Sequence, residues 1–183
     1  MSKPGKERQT PFDALLDIEE RSLAHVPGRP EQIEAPGHWR GVGFRIGQRR
    51  LVSSFDEVLE ILPLPPVTPV PGAQNWMLGV ANVRGTLLPV VDLKLFLEGE
   101  RTVIHEGQRV LVVRQSGGNV AVLIDELVGQ RTFNDSHRTD LSTPDAGRYS
   151  HFVSQAYRLA DIDWGVFSMS TLTRTPEFRQ ATL

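Results

Sequence analysis

Along this chain apolar and polar positions alternate in short runs. WRGVGFRI at 39–46, RRLVSS at 49–54, TLLPVVDL at 86–93, RVLVVR at 109–114, NVAVLID at 119–125, HFVSQAY at 151–157 and DWGVFSM at 163–169 are rich in β-branched and aromatic residues and bounded by turn formers. Many short strands with few helices predict a mainly β body, built as barrels or a sandwich. Ile46-Gly47-Gln48 and Ser116-Gly117-Gly118-Asn119 join neighbouring runs at hairpin distance. Within 110–114 and 120–124 the alternation gives way to nearly unbroken Val, Leu and Ile, which puts these two strands at the centre with both faces covered.

One segment follows the helical period. In TPFDALLDIEERSLA, residues 10–24, Thr10 is a candidate N-cap, Pro11 suits the first helical position, and Phe12, Leu15, Leu16 and Leu23 recur at helical spacing. A short amphipathic helix is expected there. VPGRPEQIEAPG, 26–37, with three prolines and two glycines, predicts a linker. The organisation expected is therefore helix and linker over 1–37, a body over 38–173 and a polar tail over 174–183. PLPPVTPVP at 63–71 holds five prolines in nine residues, which cannot supply ladder donors and predict a stiff extended connector. Its Pro66-Val67-Thr68-Pro69 also fits a PxxP ligand. Residues 133–147 predict a long polar loop.

A length of 183 residues suits one domain, or two small lobes around one core. Twenty Lys and Arg against 22 Asp and Glu leave a net charge of −2, with no bulk attraction to nucleic acid. There is no cysteine, so thiolate chemistry and sulfur-ligated metals are excluded. No apolar run approaches the roughly 20 residues needed to span a bilayer, and the polar start predicts a cytoplasmic protein. The five histidines form no ligand motif. Ser136, His137 and Asp140 fall together in the polar loop and read as turn formers; Asp161 and Asp163 read as the turn before Trp164. Phosphate-cradling motifs are absent. No cofactor, no metal and no catalytic residue is expected, and an interaction role is left.

NWMLGVANVRGTLLPVVDL, 75–93, resembles the signature of the CheW-like chemotaxis coupling family: Gly79, Val80, Asn82, Arg84 and Gly85, then Pro89, Val90, Val91, Asp92 and Leu93. FRIGQRRLVSSFDEVLEIL at 44–62 is similar to the family's first hairpin and the segment after it. VLVVRQSGGNVAVLIDELVGQRTF at 110–133 is similar to its second, with Asp125, Val128 and Gly129 in order. The likeness runs over 38–173. It implies two small five-stranded SH3-like β-barrels side by side, and a non-catalytic adaptor. Its implied partners are the regulatory domain of a CheA-type histidine kinase and the cytoplasmic helical hairpin tip of chemoreceptors. The N-terminal helix, Trp39-Arg40-Gly41, and the approach from Val70-Pro71-Gly72 to Trp76 resemble the branch of the family that serves pilus-driven twitching motility. An adaptor of flagellar chemotaxis is the alternative, and a β-barrel ligand-binding protein a remoter one.

Within the signature, Arg84 can leave the barrel and bind a carboxylate or carbonyls of a partner, or stay inside as a strut to Asp92 or Glu57. Gly85 is expected at a positive φ or a bulge. Asn82 and Val83 flank the pair, and Val58, Leu59, Val80 and Val83 are candidates for an apolar groove that receives a receptor helix. Trp76 is either an interface anchor or a cover for the core edge.

Overall fold

Alternate residues of β1 (His38–Ile46) point inward at Val42, Phe44 and Ile46, and β2 (Arg49–Ser54) returns after a Gly47 turn with Arg45 opposite Arg50. The computed structural model describes residues 37–140 and 147–180. The helix expected at 10–24 and its linker lie outside the described residues. After β2 come β3 (Val58–Pro63), β4 (Met77–Val83) and β5 (Thr86–Asp92), then a short helix, α1 (Leu93–Glu98). β6 (Arg109–Gln115), β7 (Gly118–Leu123), β8 (Glu126–Asn134) and the two-residue β9 (Arg138–Thr139) follow. β10 (Val153–Leu159), β11 (Ile162–Phe167), α2 (Met169–Arg174) and α3 (Pro176–Arg179) end the described chain.

The strands form two sheets, ordered β8-β1-β2-β11-β10-β9 and β3-β6-β7-β5-β4. The pairs are antiparallel except β2–β11 and β5–β7. β6 and β7 occupy the interior of the second sheet, and Val110–Val113 and Val120–Ile124 are buried throughout, as their unbroken apolar runs predict. Each sheet has its own small core: Val52, Phe133, Tyr157 and Trp164 in the first, and Ala81, Val90, Val110, Ala121 and Leu123 in the second. A larger core draws on both sheets and the helices, joining Phe44 and Leu51 to Leu111, Val122, Phe96, Leu172 and Phe178. The expected pair of five-stranded lobes is thus present with one addition. Arg138–Thr139, inside the stretch expected as polar loop, pairs with β10 as a sixth strand of the first sheet.

Two expectations need correction. The proline-rich connector does supply a ladder donor: Thr68, the non-proline between Val67 and Pro69, donates its N–H to the Val80 carbonyl at 2.8 Å and accepts from the Val80 N–H at 2.9 Å. The strand so covered is β4, at the sheet edge. Gly79 makes the approach possible, because a Cβ there would stand 2.1 Å from the Thr68 carbonyl oxygen, and its φ is 143°. Residues from 174 onward are also not simply a polar tail. α3 drives Phe178 fully into the shared core, where its ring stacks on Trp76 at 5.3 Å and meets Phe96 edge-on at 5.4 Å.

Candidate functional site

The signature's Arg84-Gly85 forms the two-residue turn of the β4–β5 hairpin, between Val83 and its cross-strand partner Thr86. Both residues have positive φ, 52° and 83°, as a type I′ turn requires to match the twist of its strands. Gly85 adopts this at no steric cost, but Arg84 is strained by of order 1 kcal/mol. Asn82 closes the turn by accepting the Gly85 N–H on its side-chain oxygen at 2.9 Å.

Arg84 projects from this tip with its side chain 73% exposed. Its guanidinium reaches the Glu60 carboxylate on β3 through both terminal nitrogens, at 2.6 Å and 3.3 Å, a bidentate pair. β3 and β4 are the two edges of the second sheet, so the pair bridges its open seam from outside. Neither partner expected for an internal strut is used. Glu57 is occupied at the start of α2, accepting the Ser168 hydroxyl and the N–H groups of Met169 and Ser170 at 3.0 to 3.2 Å. Asp92 is buried and caps α1 by accepting the Leu95 N–H, and it accepts the Thr102 N–H as well.

Asp125, from the stretch similar to the family's second hairpin, is likewise committed within the fold. It receives the Gly47 N–H at 2.6 Å, which clamps the β1–β2 turn of one lobe to the end of β7 in the other. The Thr102 hydroxyl lies 2.8 Å from Asp92 and 2.9 Å from Asp125, between the two carboxylates, and its single proton serves one of them at a time. Arg84 and Glu60 thus face solvent while these carboxylates are consumed by the fold.

The candidate groove residues separate. Leu59, beside Glu60, is 41% exposed. Val83 is half-buried at the hairpin end, and Val80 is half-buried with its backbone bonded to Thr68. Val58 lies in the shared core and does not line a surface. Trp76 is 5% exposed and packed between Phe96 and Phe178, a core residue rather than an interface anchor. The apolar surface of this region includes two residues the sequence pattern did not single out, Phe55 at 45% and Ile61 at 37% exposure. Leu59 and Ile61 are the exposed apolar positions of β3, whose pairing with β6 shifts register between Val58 and Glu60.

A model described as the CheW-like domain matches residues 40–174. The chain belongs to the CheW-like family. Protein PilI of Pseudomonas aeruginosa is 36% identical over 170 residues, 93% of this chain and 95% of that protein. Protein FrzA of Myxococcus xanthus is 40% identical over 113 residues, 61% of this chain and 65% of FrzA. Among solved structures, the scaffolding protein TtCheW from Thermoanaerobacter tengcongensis superposes with a TM-score of 0.63 over 72% of this chain and 89% of TtCheW, at 17% identity. That likeness supports the two-sheet fold. The family match and the PilI relationship place the chain among CheW-like scaffolds of chemotaxis-type signalling. Among the described residues no helix is long and apolar enough to cross a membrane.

Proposed function

We propose that the protein is a non-catalytic adaptor that couples chemoreceptors to a CheA-type histidine kinase in a pathway governing pilus-driven twitching motility. The observation that carries this reading is the exposed bidentate pair of Arg84 and Glu60, the latter on a strand that also exposes Leu59 and Ile61. An exposed charged fork paired to a strand that also exposes apolar side chains suits the cytoplasmic hairpin of a receptor, whose helices offer apolar side chains at i, i+3 and i+4 and carboxylates between them. An incoming carboxylate competes with Glu60 for Arg84, at a cost of about 0.2–1 kcal/mol for the exposed pair it displaces. Gly85 and Asn82 shape the tip, Val83 and Val80 pack beneath it, and Val58 supports β3 from the core. The kinase's regulatory domain occupies another face, and simultaneous occupancy raises the effective concentration of kinase at receptor. Resemblance to PilI along almost the whole chain supports the pilus pathway over a flagellar one. In this role the protein works in the cytoplasm, recruited to membrane receptor arrays.

The test is titration of a receptor hairpin fragment and, separately, a CheA-type regulatory domain into wild type, Arg84→Glu, and Arg84→Glu with Glu60→Arg. Both partners bind wild type; Arg84→Glu weakens the receptor fragment at least tenfold and leaves the kinase domain unchanged. Restoring the pair in reverse polarity does not restore receptor binding, because the partner's carboxylates then meet Glu at position 84. If neither partner binds the folded wild type, the coupling function is wrong.

A further inference from the structure

The second lobe carries two clefts whose lining includes neither Arg84 nor Glu60. These neighbouring clefts, of 680 Å³ and 420 Å³, share Gln115, Ser116 and Arg179 as lining, and together they form a trough bordered by the β6–β7 turn, α2 and α3. At one end the trough is apolar. Leu87, 68% exposed, stands there with Pro89 and Pro176. At the other end it is cationic, lined by Arg114 and Arg174.

The charge is unbalanced. Glu57 also lines that end, but its carboxylate is committed to Ser168, Met169 and Ser170. Asp56 is the other carboxylate in the lining, against Arg114 and Arg174. Among the described residues no carboxylate pairs with Arg114 or Arg174 within salt-bridge distance. Between the two ends the Gly117–Gly118 backbone is exposed, with open space where side chains would stand, so an incoming main chain can lie close.

We infer that this trough is a docking site for an acidic segment of another protein, seated with an apolar side chain on Leu87 and carboxylates over Arg114 and Arg174. Two adjoining clefts fit a length of chain better than a compact small molecule. Arginine forks suit carboxylates, and an exposed leucine flanked by prolines suits an aliphatic anchor, which a nucleic-acid backbone does not offer. The inference is independent of the receptor reading, since Arg84 faces Glu60 and is not among the trough's lining residues.

The experiment is a backbone amide NMR titration of the full chain with a synthetic peptide of alternating Glu and Leu, beside a peptide in which every Glu is Lys. The acidic peptide produces saturable shifts centred on Gln115, Ser116, Gly117, Gly118 and Leu87, and the Lys peptide does not. Arg114→Ala with Arg174→Ala weakens binding at least fivefold, Leu87→Asn does so separately, and Arg84→Ala leaves it unchanged. All four positions are exposed, so the variants keep the wild-type spectrum elsewhere. The inference is overturned if the acidic peptide gives no saturable shifts, if its shifts centre elsewhere, if the double variant binds as wild type, or if the Lys peptide binds equally. It also fails if Arg84→Ala abolishes binding, which would merge the trough with the receptor site.

Discussion

An arginine at φ 52° is an unusual choice for a turn that Asn or Gly would occupy more easily. The strain of about 1 kcal/mol offsets most of what an exposed ion pair returns, so stability alone does not explain Arg84. We therefore expect Arg84→Gly to leave the unfolding free energy within about 1 kcal/mol of wild type, by denaturant titration, while receptor-fragment affinity falls at least tenfold. A loss above about 2 kcal/mol would make Arg84 a strut instead. Two other residues give a spectroscopic test. Burial, then its hydrogen bond to Glu98, pushes the Tyr149 phenol far above its ordinary value; burial, then the Asp135 charge, raises Tyr157. These are the two tyrosines of the chain. A group raised in the folded state contributes stability that is present below its unfolded value of about 10 and is lost as pH rises above it. The native protein should therefore show less phenolate absorbance near pH 10 than the unfolded chain, and ionisation of Tyr149 should coincide with alkaline unfolding.

At the scale of elements, β1, β2, β5, β6, β7, β10 and β11 were legible as short apolar runs, and β3, β4, β8 and β9 were not. β6 and β7 stand out as unbroken Val, Leu and Ile, whereas β3, β4 and β8 mix glycine, asparagine or glutamate into their runs because one face meets solvent. β4 was visible only through the family signature. Resemblance located Asn82, Arg84 and Gly85 but not what each does, since Glu60 reaches Arg84 across 24 positions of chain, beyond any local pattern. The buried Phe178 was hidden in a polar stretch, where a single aromatic gives no period. Two changes test how these elements hold. Phe178→Ala should cost about 3–5 kcal/mol in chemical denaturation, as for a fully buried phenylalanine. Gly79→Ala should cost at least about 2 kcal/mol, by prying the connector off β4, and should expose the Thr68 and Val80 amides to hydrogen exchange.

In the whole molecule, two small sheets share their largest core, and the Gly47–Asp125 clamp fixes one lobe against the other. A rigid body with binding surfaces on separate faces is what a bridging protein requires, because the geometry between partners is then set by the scaffold rather than by a linker. Sedimentation velocity of the full chain with a CheA-type regulatory domain and a receptor hairpin fragment, singly and together, tests this bridge. A ternary complex containing all three is expected, absent when the adaptor is omitted and lost to a kinase–adaptor pair with Arg84→Glu. Mutually exclusive binding, in which either partner displaces the other from the wild-type protein, would contradict it.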